Sequence, residues 1–220
     1  MQKERNVLNF YLQCNKLKDV IRGGWKDWNV ERHRVESVAE HIFGVQMLAI
    51  AMWSEFGYDV DILKVVTMLA VHEIEETVIG DFTCFDISPE EKAKRGHTAV
   101  EKIFAGLMGA KQLENMIYEF DARKTKEAKF AYWCDKLECD LQAKLYDEQH
   151  CVDLAKQENC KAAKDEVVNR LLAQGMGFGE MWLTVSQCKY DYDKNFVGVS
   201  NFAKSNKLLK DWNEVCVLIH

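Results

Sequence analysis

Proline is almost missing from this chain: a single one, Pro89, serves 220 residues. Sheet-rich chains of this length place several prolines in turns, so the scarcity argues against all-β and α/β architectures. An excess of positive charge is also absent. The formal net charge is −6, which leaves no broad basic footprint for a nucleic acid polymer. No apolar run approaches the roughly 20 residues that cross a bilayer. The N-terminus (MQKERNVLNFYLQ) has neither the hydrophobic region nor the cleavage site of a signal peptide. The eight cysteines include no Cys-x-x-Cys pair, so zinc-ribbon spacing is missing and free thiols in a reducing compartment are expected. These absences predict a cytoplasmic protein with no membrane segment and no nucleic acid partner. Small anionic substrates stay open, because a metal ion or one Arg reverses the field locally.

Hydrophobic residues make up 48% of the chain, enough for a substantial core in one domain. Long segments run at 3.6-residue periodicity without interruption, which predicts an all-α fold. Helices are expected at about 5–20, 36–56, 60–79, 89–108, 111–121, 125–149, 163–174, 178–189 and 198–212. The start at "SPEE" (88–91) is well signalled: Ser88 caps, Pro89 suits the first helical position, and Glu91 completes a capping box. Gly23-Gly24, Gly57, Gly80 and "GMGFG" (175–179) fall between segments, as turn residues should. Residues 151–220 are expected as a helical C-terminal extension packed on the same domain as a 1–150 core.

"LAVHEIEETVIGDF" (69–82) carries the chemistry. The helix leading into it is apolar on nearly every side from Ile62 to Val71, which implies a central helix whose polar end faces a cleft. On a continuous helix His72, Glu73 and Glu76 share one arc, while Glu75 falls to the other side. Clustered carboxylates beside a buried His are costly unless something compensates, and a divalent cation is the common compensation. A solvated helix end is the simpler alternative, but acids at a helix C-terminus oppose the macrodipole. His41 lies on the apolar stripe Val38, His41, Val45, Leu48 and Met52, so it points into the core, as a packed histidine or as a ligand. Asp135 sits among Ala128, Ala131 and Cys139, a face of small residues that lets another helix approach, so it needs a partner: a salt bridge or a metal. Asp140 is the less favoured acid of that segment. A zinc-protease reading of "HEIEE" fails because position 76 is Glu rather than His. A ferritin-like di-iron reading needs paired Glu-x-x-His segments.

The order His41, His72 with an acid directly after it, then a distant Asp135, resembles the HD-domain metal-dependent phosphohydrolases. "RVESVAEH", "HEIEETVIGDF" and "CDKLECDLQA" are similar to the branch containing bacterial 5'-deoxynucleotidases and their eukaryotic relatives, over roughly residues 5–150. The resemblance implies an HD-domain-like helical bundle with additional C-terminal helices. It places His41, His72 and Asp135 as metal ligands, with Glu73 where the family has its Asp. Two His and two carboxylates suit one divalent transition ion (Mn, Co, Fe, Ni or Zn). Only His97 lies between the His-acid pair and Asp135, so a mononuclear site is expected. Glu76 takes the place of the general acid and Asp81 that of a substrate-contacting acid. From "IRGGW", Arg22 would orient a phosphate and Trp25 would face sugar or base, with Trp28 as a competitor. The implied activity is hydrolysis of a phosphomonoester, a nucleoside or deoxynucleoside 5'-monophosphate, by a homodimer. The alternative is a catalytically inactive nucleotide-binding or regulatory protein of the same fold.

Overall fold

The computed structural model describes residues 1–209. The end of the last expected helix (210–212), Cys216 and His220 lie outside the described residues. Eleven α-helices are found among the described residues: α1 (Gln2–Asn15), α2 (Gly23–Asp27), α3 (Val38–Phe56), α4 (Ile62–Val71), α5 (Glu76–Ile79), α6 (Pro89–Phe104), α7 (Ala110–Ala122), α8 (Lys126–Glu148), α9 (Glu166–Ala173), α10 (Phe178–Val185) and α11 (Lys194–Ser205). Short 3-10 turns join several of them. The described residues form no strand, only an isolated bridge between Ile21 and Ser37, and no helix among them is long and apolar enough to cross a membrane. The all-α architecture agrees with the periodicity.

Contacts divide the chain into two compact units: Met1–Asp27 with His33–Asp135, and Trp28–Arg32 with the chain from Lys136 onward. In the first unit α3 packs on α4, α4 on α7 and α7 on α6. Their shared core holds Leu17, Val38, Ile42, Val71, Ile74, Val100, Phe104 and Ile117. In α3 the buried positions Val38, His41, Ile42, Val45, Ala49 and Met52 follow the 3-4 spacing of one helix face. Leu48, expected on that stripe, is only half-buried. Helix α4 is not enclosed on all sides as its composition implied: Leu63 is 77% exposed, and Thr67 and Ala70 face solvent too. The apolar composition overstates its burial because packing against α3 and α7 needs only one face.

The second unit is built around α9, α10 and α11, with α10 between the other two. Its aromatic contacts include Trp28 edge-on to Phe178 at 5.0 Å and Tyr190 beside Phe196 at 5.8 Å. Acids hold its helix starts and turns. Asp165 accepts from the Val167 and Val168 amides, Asp193 from those of Asn195 and Phe196, and Asp147 from that of Gly179.

Candidate active site

Four potential ligands meet in the first unit. Single donor atoms of His41, His72, Glu73 and Asp135 all lie within 4.8 Å of one another. His41 follows the start of α3, which a full capping box fixes: Ser37 Oγ accepts from the Glu40 amide at 3.3 Å while the Glu40 carboxylate accepts from the Ser37 amide at 2.9 Å. At "SPEE" only the first half forms, because Glu91 pairs with Arg95 at 2.7 Å while Ser88 Oγ accepts from the Glu91 amide. Asp135, 3% exposed, projects from α8 beside the fully buried Ala128 and Ala131. It lies 3.1 Å from His41 Nε2.

The helix expected across 60–79 breaks at His72. Beyond Val71 the amides of Ile74, Glu76, Thr77 and Val78 bond three residues back, to Val71, Glu73, Ile74 and Glu75, tightening the chain into successive turns before α5. The break separates the acids. Glu73 meets Arg22 at 2.8 Å, Glu76 meets Lys92 at 2.9 Å, and Glu75 packs against Gly96 of α6, where an added Cβ would lie 3.1 Å from its side chain.

The donor chemistry suits a divalent cation. His72 Nδ1 sits 2.7 Å from the Leu69 carbonyl and must donate to it, so Nε2 carries the lone pair. That Nε2 is buried without a hydrogen-bond partner, as is Glu73 Oε2, whereas Glu73 Oε1 is held by Arg22. Burial keeps the His72 imidazole below its usual pKa, against the pull of Glu73 and Asp135. Burial pushes the Glu73 carboxyl up, but Arg22 and the two imidazoles outweigh it and bring its pKa down to about 2. Unpartnered buried donors of this kind are expensive unless an ion completes them.

Arg22, Asp81 and Glu76 form the adjoining part of the cluster. The Arg22 amide donates to the Glu36 carbonyl at 3.1 Å and the Val38 amide to the Val20 carbonyl at 2.8 Å, stitching the Arg22 segment to the start of α3. Asp81 Oδ2 accepts from the Gly23 amide at 2.8 Å and lies 3.3 Å from Arg22 Nη1. Gly23 is required there, since a Cβ would collide with the Asp81 carbonyl oxygen. Burial, then the Glu73 and Asp81 carboxylates, push the Glu76 carboxyl well above the ordinary range, with Lys92 and Arg22 opposing.

Trp25 is 2% exposed and donates Nε1–H to Glu36 at 2.6 Å, so it offers no open ring face for stacking. Its competitor Trp28 belongs to the second unit. His97, 2.7 Å from Asp121, is not among the four grouped donors. Sequence reasoning missed two residues. Glu36, in "RVESVAEH", receives the Trp25 indole. Lys92, on the first turn of α6, bonds Glu76; the signalled start at Ser88-Pro89 fixed its helix, but no local pattern tied it to this cluster.

Comparison with known proteins gives a consistent family. Residues 14–174 match the model described as the HD domain. The protein named 5'-deoxynucleotidase HDDC2 of Dictyostelium discoideum is 34% identical over 152 residues, 66% of this chain and 79% of that one. Its namesake in Homo sapiens is 31% identical over 148 residues, 66% and 70% of the two chains. A solved structure of a protein from Pyrococcus horikoshii superposes with a TM-score of 0.61 at 23% identity, covering 91% of this chain and 99% of that one, and so supports the fold.

Proposed function

Since this chain belongs to the HD domain family, we propose that it is a metal-dependent phosphohydrolase that cleaves nucleoside 5'-monophosphates, as the names of its 5'-deoxynucleotidase relatives suggest. The observation that carries the reading is the group of His41, His72, Glu73 and Asp135, with His72 Nε2 and Glu73 Oε2 buried and without a hydrogen-bond partner. These four residues would hold one divalent transition ion (Mn, Co, Fe, Ni or Zn). Glu73, one methylene longer than the family's Asp, offers the oxygen that Arg22 leaves untouched. The ion supplies Lewis acidity, lowering the pKa of water and offsetting charge on a phosphoryl oxygen.

The chain's own groups supply the rest. Arg22 presents a planar fork of donors to the phosphate from a side chain anchored at Glu73 and Asp81. Trp25 acts through Glu36, which accepts from both its indole and the Arg22 amide, and so keeps Arg22 in place. Asp81, tethered by the Gly23 amide, faces the substrate. Glu76 holds its proton more tightly than a free glutamate, which suits it to protonate the leaving 5' oxygen. The exposed apolar residues Phe43, Met47 and Ile50 of α3 support a homodimer.

The test is phosphate release from a panel of nucleoside and deoxynucleoside 5'-monophosphates, using chelator-stripped protein resupplied with each ion. We expect metal-dependent release that falls by at least about 100-fold in Glu76→Gln. Binding of the nucleotides without release under any ion would replace the enzyme by the regulatory alternative.

A further inference from the structure

Lys92 lies outside the proposed ligand and substrate-contacting sets yet touches two of their acids. It stands on the first turn of α6, whose start Ser88 and Pro89 fix. Its ammonium donates to Glu76 Oε1 at 2.9 Å and to the Phe82 carbonyl at 3.1 Å, and lies 3.8 Å from Asp81 Oδ1. An ammonium has three donors and no acceptor, so two anchor it and the third points toward Asp81. The Glu76 side chain is fully buried and that of Lys92 is 31% exposed. Lys92 therefore reaches in from the accessible side and engages one oxygen of Glu76. The other, Oε2, is buried with no partner.

That asymmetry has a chemical meaning. A carboxylic acid that gives a proton to a leaving oxygen needs one oxygen committed to its support and the other free. Glu76 opens α5 just after a break in the helical chain, and its bond to Lys92 fixes which of its two oxygens is engaged. The bond to the Phe82 carbonyl also ties the segment carrying Asp81 to the same ammonium.

We infer that Lys92 is the positioning residue of Glu76, occupying Oε1 so that Oε2 is the oxygen presented to the leaving group. The inference rests on Glu76 being the acid. No bond of the substrate changes at Lys92: the proton passes from Glu76 to the departing oxygen, and Lys92 keeps its own.

The experiment compares Lys92→Met, Lys92→Arg and Glu76→Gln in the metal-loaded enzyme on two esters. A nucleoside 5'-monophosphate expels an alkoxide that must be protonated, whereas p-nitrophenyl phosphate expels a stable phenolate that need not be. A general acid contributes on the order of 10²–10⁴-fold, so Lys92→Met should lower kcat on the nucleotide by about 10-fold or more with KM little changed. Aryl phosphate turnover should move by less than about threefold, with Lys92→Arg intermediate on the nucleotide. A Lys92→Met/Glu76→Gln double variant should be no slower on the nucleotide than Glu76→Gln alone, a reading that does not depend on the aryl ester being accepted. Bound metal per chain, measured separately, should be unchanged. Equal loss on both esters, a rise in KM at constant kcat, or additive losses in the double variant would overturn the inference. If Lys92→Met does not fold, Lys92→Gln replaces it under the same criteria. Should Glu76→Gln itself treat the two esters alike, the reading of Glu76 as the acid fails first; should it discriminate while Lys92→Met does not, only the role of Lys92 fails.

Discussion

The capping acids of the second unit and the clustered acids of the first do different work. In the second unit Asp147, Asp165 and Asp193 each accept from one or two backbone amides, and Glu148 accepts from those of Leu208 and Leu209. Burial pushes the Glu148 carboxyl up, but those amides together with Lys144 outweigh it and hold it below the usual range. In the first unit Glu73, Glu76, Asp81 and Asp135 gather against cations and imidazoles, and Glu73 and Glu76 each keep one buried oxygen without a hydrogen bond. The difference teaches where chemistry sits. An acid matched to an amide stabilises the fold, whereas an acid crowded beside other acids makes sense only with an ion, a substrate or a transferable proton.

The widest separation between the units should come from removing a ligand. His72→Ala should lower metal affinity by more than about 100-fold, since even loss of an outer partner costs 10–100-fold, while the circular dichroism of the helices persists. Metal content by elemental analysis checks this, and full retention of the ion would erase the contrast. Next comes Glu75, whose carboxyl burial raises from 4.5 to about 8. Between those values the folded apo protein binds more protons than the unfolded chain, so stability falls as pH rises through that window. Glu75→Gln should therefore stabilise the metal-free protein by about 1–3 kcal/mol at pH 8 and by much less at pH 5. Urea unfolding at both pH values decides, an equal increment at the two being the contrary result. Least of all, Asp165→Ala should cost about 1 kcal/mol of stability through the lost cap, with turnover unchanged. A matching loss of turnover would show that the second unit's acids are not confined to structure.

Much of this was legible in the sequence, for identifiable reasons. The scarcity of proline and the unbroken periodicity gave the all-α fold. His41 could be placed inward because the apolar stripe of Val38, Val45 and Met52 fixes its face, and the small residues around Asp135 marked a buried acid. What escaped depends on contacts far apart in the chain. The break after Val71 has no Gly or Pro to announce it; the turns there are held by bonds three residues back. Lys92 and Glu76 are 16 positions apart across a turn-rich segment, and nothing in either local pattern names the other. The exposure of Leu63 shows the converse, an apolar side chain that composition alone assigns to the interior.

The contact of Gly23 with Asp81 spans 58 positions, and it binds two short motifs into one inheritable module. A side chain at 23 would need the Asp81 backbone to retreat, and a retreat there would pull Asp81 away from Arg22. The two positions are expected to drift together or not at all. In more distant sequences, a lost glycine after the arginine would then signal a displaced Asp81 even where all four proposed metal ligands are still in place.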